Sequence, residues 1–379
     1  MPLEEQHKQV LRLMLLGPFP PPYSGTTVSY LELYRDLSNV PEISLEKVLD
    51  TKADKHSSSF RKMVFTISLL LHVFYNIHKV DVVMLNGSNL RAVLLGFGIK
   101  LACQLFNKSL VIRIFGGSFY EFYYEAGHPL KKIIDYAFSG STVLLETKMM
   151  ISRFRQEKNW QIKWFSNSRK ISSRNNLKPQ KSDREERTSP VRFIYAAEVR
   201  KEKGIDILLD AVRQMNFKGL EGPQIDIDVY GQLFPPFTKE DFNLQPQKRV
   251  RLRYCGLVDS DTLFEKMGGY DCLLFPTKFQ TEGYPGTVIE ALSWGLPVLA
   301  SNDWKVALEV IDESCGLIID SSDTQNWAET ITTVAGDPDL LKNLSRGARE
   351  KAKNFDSQYW NKHVVKEILF SAVGGKSDE

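Results

Sequence analysis

Two kinds of segment alternate along the chain. Short apolar runs at Val10–Leu16, Asp81–Leu85, Leu110–Phe115 and Thr142–Leu145 have the unbroken hydrophobicity of parallel strands covered on both faces. Between them, Thr27–Leu37 and Ser88–Leu105 are amphipathic or apolar and long enough for crossover helices. A charged stretch, SSRNNLKPQKSDREERTSP, runs from Ser172 to Pro190 with almost no apolar residue and reads as a linker. The alternation then restarts. Strands are expected at Val191–Ala196, Ile225–Tyr230, Val250–Tyr254, Cys272–Phe275, Pro297–Ala300 and Gly316–Ile319, with helices at Gly204–Met215 and Thr287–Trp294. This order predicts an α/β protein of two doubly wound, Rossmann-like domains. Ligands of such domains bind beyond the carboxyl ends of the strands, so the expected site is a cleft between two facing domains.

Length fits this reading, since 379 residues suffice for two domains. The net charge of +3 does not suggest a dedicated nucleic-acid binder. It hides an asymmetry: residues 1–170 hold 22 basic and 14 acidic side chains, and residues 171–379 hold 27 and 32. The +8 half suits an anionic partner, a phosphorylated substrate or a lipid surface; ordinary surface variation is the other reading. Cys103, Cys255, Cys272 and Cys315 form no metal spacing and read as buried thiols of a reducing compartment. Glu4, Glu5 and Arg12 argue against a signal peptide. The longest apolar stretch, Met63 to Ile77, is shorter than the roughly 20 residues that span a bilayer. The chain is expected to be cytoplasmic, with peripheral attachment to the inner membrane face as an open alternative. Gly96 and Gly98 lie in a helical pattern and read as helix packing.

The richest chemistry lies in Asp271–Ala300, DCLLFPTKFQTEGYPGTVIEALSWGLPVLA. A buried strand ends at Phe275, a loop with Gly283, Pro285 and Gly286 follows, and a helix begins near Thr287. Free N–H groups and a positive dipole end make such a helix start an anion site. Glu290, about one turn later, is placed for ribose hydroxyls, and Glu282 can reach a sugar hydroxyl. An ordinary helix start with one buried Glu is the plain alternative.

Glu282 and Glu290, seven residues apart within EGYPGTVIEALSWGLPVLAS, resemble the EX7E motif of retaining GT-B glycosyltransferases, especially family 4. Other marks follow in order. Leu16–Phe19 with Tyr23-Ser24-Gly25 resembles the N-terminal glycine loop, and Trp164–Asn167 the entry to the linker. Lys203-Gly204-Ile205-Asp206 resembles the KGxD helix start, Tyr254–Leu257 the nucleobase segment, and Phe355–Phe370 the helix that crosses back to the N-domain. The resemblance implies a GT-B fold with boundaries at 1–171, a linker at 172–190, a donor domain at 191–354, and a crossing helix and tail at 355–379. It implies that Glu290 binds the donor ribose and Glu282 the transferred sugar. The backbone and hydroxyls of Tyr284, Pro285, Gly286 and Thr287 would hold the sugar or diphosphate, Lys203 would neutralise the leaving diphosphate, and Gly256 and Leu257 would frame the base. Gly25 and Gly117 would let backbone approach the donor closely. The reaction would retain anomeric configuration by front-face attack, so positioning and charge stabilisation dominate.

Two departures stand out. Where the family often has Arg, five residues before Lys203, this chain has Glu198; Arg200 is the expected substitute, and a strand ending before Glu198 would permit the shift. The loop Gly116-Gly117-Ser118 lacks the family's usual His; His128 reads as a loop residue. The aromatic run Phe119–Tyr124 is either an acceptor platform, a membrane edge or helix packing. Glu121 within it is a candidate for proton handling. Phe60–Ile77 is either a crossover helix or a membrane-facing one, flanked by Arg61, Lys62 and Lys79. Asp226-Ile-Asp228 lies inside a strand and reads as alternating charge on an exposed face, so no metal and no resident cofactor are expected. The resemblance thus implies a metal-independent transferase moving sugar from a nucleotide-diphosphate sugar to a glycan or lipid-linked acceptor, in surface polysaccharide synthesis. A nucleotide-sugar epimerase and a non-catalytic GT-B glycan-binding or partner protein are the rivals.

Overall fold

The computed structural model describes residues 10–22, 24–52, 58–171, 190–217, 222–242 and 249–374. Tyr23 of the glycine loop and residues 172–189, nearly all of the expected linker, lie outside them. The chain divides into two compact units, Met1–Lys170 with Ser357–Glu379, and Ile171–Asp356.

The first unit is a parallel sheet of β1 (Leu11–Gly17), β2 (Ile43–Asp50), β3 (Val82–Gly87), β4 (Ser109–Ile114), β5 (Thr142–Leu145) and β6 (Gln161–Trp164), in the order β2-β1-β3-β4-β5-β6. Its helices are α1 (Gly25–Leu37), α2 (Ser59–Asn76), α3 (Asn89–Leu105), α4 (Phe119–Glu125), α5 (His128–Phe138) and α6 (Lys148–Glu157). Successive strand residues go to opposite layers. Met14, Leu16, Val83 and Leu85 pack with Val73, Ile99 and Ile134 of α2, α3 and α5. Leu13, Leu15, Val82 and Met84 pack with Leu33 of α1 and with a C-terminal segment. That segment is a π-helical stretch, Gln358–Val364, continuing into a helix at Val365–Gly374. Trp360 stands edge-on to Trp164 at 4.7 Å, and Ser109 Oγ donates to the Ala372 carbonyl at 2.7 Å.

No apolar run marks β2 or β6 in the sequence, and both are edge strands. Most β2 positions are half-buried, with Glu46 and Asp50 exposed, and of the four β6 residues only Ile162 is buried. Edge strands need no second covered face, so the signal for buried strands is missing there. His128 opens α5 instead of sitting in a loop. Gly96 and Gly98 do serve packing: a Cβ on Gly98 would come within 2.8 Å of Leu70.

The second unit contains β7 (Val191–Ala196), β8 (Ile225–Tyr230), β9 (Val250–Gly256), β10 (Cys272–Phe275), β11 (Val298–Ser301) and β12 (Gly316–Ile319). They are parallel, in the order β12-β11-β10-β7-β8-β9. Helices α7 (Ile205–Phe217), α8 (Ser260–Met267), α9 (Gly286–Trp294), α10 (Ala307–Val310), α11 (Thr324–Gly336) and α12 (Pro338–Ala352) accompany them, and the C-terminal helix of the first unit is α13. Each sheet has a switch point where strand order reverses: between β1 and β3 in the first unit, and between β7 and β10 in the second.

The face carrying Asp226 and Asp228 is not exposed, contrary to the sequence reading. Both carboxylates are buried and sit in register with Arg251 and Arg253 of the edge strand β9. Arg253 forks onto Asp228 at 2.8 and 2.7 Å, Arg251 pairs with Asp226, and Tyr270 donates to Asp228 at 2.8 Å. The long arginine stems cover the acids while their heads reach solvent. Burial raises the Asp228 pKa, but the hydrogen bonds from Arg253 and Tyr270 outweigh it and hold the group below the ordinary aspartate range. Of the cysteines, Cys255 is only half-buried; none of the four is in a disulfide.

Asp312 gives a pH test. Hydrogen bonds from Lys351, 2.7 Å away, and from Ser314 lower its pKa to about 2. A depressed acid contributes stability above its unfolded value of 3.8 and loses it as pH falls toward about 2. Lys351→Ala is therefore expected to lower the stability of this unit modestly at neutral pH, by less than the full linkage because the pair is partly exposed, and the deficit should vanish as pH falls toward about 2. Denaturant unfolding at neutral pH and near pH 2 checks this; a deficit of equal size at both contradicts it.

Candidate functional site

The switch point of the second unit lies between β7 and β10, and the loops leaving these strands touch each other. After β7 the chain runs through Glu198 and Arg200 into a 3-10 turn, Lys201–Lys203. Tyr195, buried at the strand end, donates its hydroxyl to the carbonyls of Glu198 and Lys203 at 2.9 and 3.2 Å and pins the turn. Gly204 follows with φ +74°, and a Cβ there would meet the Pro276 carbonyl oxygen at 1.7 Å. Only glycine permits this approach of the post-β7 turn to the post-β10 loop. Lys278 adds two ties, from its N–H to the Glu202 carbonyl at 2.9 Å and from Nζ to Asp206 at 2.7 Å.

This junction brings Lys203 to Glu282. Nζ lies 2.5 Å from Oε2, both side chains are mostly buried, and Nζ also sits 5.1 Å from the Phe279 ring centroid. The two residues assigned to opposite ends of a sugar diphosphate are thus a preformed ion pair. Arg200 is turned elsewhere: Nε is 3.0 Å from Glu198 and 3.9 Å from Glu202. β7 ends at Ala196, so Glu198 already lies in the loop, with its side chain exposed.

From the same loop α9 starts at Gly286, with Pro285 as its N-cap and no side-chain cap. Val288 and Ile289 bond back to the Pro285 carbonyl, at 3.1 and 3.2 Å. The helix start thus presents backbone donors and the positive dipole end at the strand's carboxyl edge. Glu290 lies one turn in, half-buried. Tyr284 departs from the expected role. Its side chain is buried, its hydroxyl donates to Glu309 at 2.5 Å, and its ring packs edge-on to Phe355. Backbone atoms and the Thr287 hydroxyl remain for a ligand. Trp304 Nε1 fixes the preceding Gly283 carbonyl at 3.0 Å.

Gly256 belongs to the same edge. It ends β9 with φ +85° and open space where a Cβ would be, and its carbonyl accepts from Gly231 N–H at 3.0 Å. Gly231 itself abuts the Ala197 carbonyl. The ends of β9, β8 and β7 are stitched in that order, leaving Leu257 exposed at the rim.

In the first unit, the expected residues follow the ends of β1 and β4. Ser24 caps α1 in a reciprocal pair with Thr27, and nothing lies within 4 Å of where a Gly25 Cβ would point. Gly117 is buried after β4, next to Gly116, whose N–H bonds to Glu146 at 3.2 Å. Glu121 lies on α4, 3.9 Å from Arg153, with Oε2 buried and without a hydrogen-bond partner among the described residues. The aromatic run is packing for its inward half: Phe119 and Tyr123 are buried against Phe154, and Tyr123 also against Trp160. No motif singles out Arg113. It lies fully covered near the end of β4, between the Phe115 and Phe165 rings at 4.5 and 4.3 Å, with Nη2 on Ser29 at 3.0 Å. Burial pushes its pKa down to about 9. A lone Arg inside the apolar run LVIRIF was the sequence signal for it.

Residues 178–351 match the family model described as glycosyl transferases group 1. A D-inositol 3-phosphate glycosyltransferase of Jonesia denitrificans is 25% identical over 181 residues, covering 47% of this chain and 41% of that protein. The chain thus spans about two fifths of the length of this curated relative. A glycosyltransferase from Rickettsia africae superposes with a TM-score of 0.71 at 18% identity, covering 96% of this chain and 99% of that one. Anabaena HepE, solved in complex with UDP, superposes with a TM-score of 0.67 at 15% identity, covering 94% and 99%. At such identity the structures speak for the fold, which is GT-B.

Proposed function

We propose that this chain, a GT-B protein whose residues 178–351 match the glycosyl transferases group 1 model, transfers a sugar from a nucleotide-diphosphate donor to a glycan or lipid-linked acceptor. The observation that carries this reading is the junction at the β7/β10 switch point. There the Lys203–Glu282 pair adjoins the loop that opens α9, and Glu290 follows one turn later. That arrangement suits a donor laid along the carboxyl edge of the second unit. The diphosphate would take the α9 N-terminus and Lys203, the ribose would take Glu290, and the base would lie toward Gly256 and Leu257. Departure of the nucleoside diphosphate concentrates negative charge, which Lys203 and the helix dipole stabilise. Glu282 would hold the sugar, and no protein nucleophile is required; the anomeric configuration is retained by front-face attack. Asp226 and Asp228 are engaged by arginines, and the reading assigns no step to a metal or a resident cofactor. It places the protein in surface polysaccharide synthesis at the cytoplasmic face. Among the described residues no helix is long and apolar enough to cross a membrane.

A thermal-shift panel of UDP, GDP, ADP, CMP and their sugar conjugates tests the reading. A ligand at about 100 times its Kd stabilises by about 2.7 kcal/mol. One base family is expected to shift the melting temperature, and Glu290→Ala to weaken that binding at least tenfold, about the cost of a charged hydrogen bond. No shift with any nucleotide, or a shift untouched in Glu290→Ala, removes the donor assignment and favours a non-catalytic partner.

A further inference from the structure

The outward face of α2 is apolar. Phe60, Met63, Ile67, Leu71 and Phe74 recur at the spacing of one helical stripe and are all exposed. The face opposite does the packing, through Leu69 and Val73. α3 repeats the arrangement: Leu90, Leu94, Phe97, Leu101 and Leu105 form an exposed stripe, while Val93, Ile99 and Cys103 face the sheet. The two helices lie side by side. Leu70 fills the notch at Gly98, and Phe74 stands edge-on to Phe106 at 5.2 Å. The stripes thus form one surface on one layer of the first unit, with individual exposures from 36% to 69%. Single exposed apolar residues are ordinary, but two adjacent full-length stripes are not.

Charge selects the occupant. Neither Ser58–Val80 nor Val82–Tyr120 contains an Asp or Glu. Arg61 and Lys62 are exposed at the start of α2, and Lys79 is exposed just past its end, its Nζ 5.7 Å from the Tyr75 ring centroid. A second copy docking face to face would oppose like charges with no acid to compensate. An acidic lipid surface meets both properties at once, since the apolar stripe enters the acyl boundary while the basic ends meet headgroups. We propose that α2 and α3 form a docking face that lies in the plane of an anionic bilayer. The inference stands independently of the donor site.

Flotation of the full chain with phosphatidylcholine vesicles, with and without phosphatidylglycerol, tests it. Binding is expected only with phosphatidylglycerol and should weaken as salt rises. Combined Phe60→Ser, Ile67→Ser and Leu71→Ser should weaken it about tenfold or more, as should combined Arg61→Glu and Lys62→Glu. These side chains are exposed, so melting temperature and nucleotide shifts should stay at wild-type values in both variants, and a failed donor assignment would leave the vesicle result standing. The proposal is overturned if phosphatidylglycerol vesicles do not bind, or bind both variants as well as wild type. It is equally overturned if light scattering finds a dimer that the serine variant dissolves.

Discussion

Lys203→Ala is expected to slow sugar transfer by about 10² to 10³-fold, the scale on which loss of one preorganised charge-stabilising group is felt. Two effects act together. The leaving diphosphate loses its cation, and Glu282, mostly buried beside Lys203, is left as an uncompensated carboxylate close to incoming phosphate. Nucleoside diphosphate affinity should fall at least tenfold as well. Glu282→Gln separates the effects. It removes the anion that holds Nζ at 2.5 Å, so Lys203 is freed for phosphate and nucleotide binding should tighten. Transfer should nevertheless slow, because the group assigned to the sugar is altered. Calorimetric titration of both variants beside steady-state transfer rates gives the comparison. If Glu282→Gln weakens nucleotide binding as much as Lys203→Ala does, the ion pair is a unit that supports the loop, and the division of labour between them is wrong.

The ion pair also shows what the chain made legible. Strands covered on both faces announce themselves as apolar runs, and β5, β7 and β10 fall where those runs fall. The edge strands β2 and β6 carry no such run, because most of their residues are only half-buried or exposed. Candidate residues on loops were legible through glycine and charge placed next to strand ends, as at Lys203-Gly204 and Gly283–Gly286. Their pairing was not legible, since Lys203 and Glu282 are far apart in sequence and meet only because β7 and β10 are neighbours at the switch point. The fate of the Tyr284 hydroxyl was hidden for the same reason, since it finds Glu309 on a later element through a contact that spacing does not encode. The Asp226–Asp228 face misled because alternating charge normally marks solvent. Here the edge strand carries the matching arginines in register.

Gly204→Ala is expected to cost more than about 4 kcal/mol, the range reserved for specific structural violations. A left-handed backbone costs an alanine about 1 kcal/mol by itself. The larger part comes from the neighbour. The added Cβ would lie 1.7 Å from the Pro276 carbonyl oxygen, and that atom belongs to backbone, which cannot rotate away as a side-chain tip can. The second unit should lose more than about 10 °C of melting temperature or fail to fold. Its buried Trp304 and Trp327 should register the loss. Gly25→Ala is the matched control. Nothing lies within 4 Å of its added Cβ and its backbone is not left-handed, so stability should change by no more than about 0.5 kcal/mol. A Gly204→Ala protein that melts like wild type would mean that the turn after β7 and the loop after β10 are not held together. The Lys203–Glu282 pair, which depends on that junction, would then no longer carry the donor site.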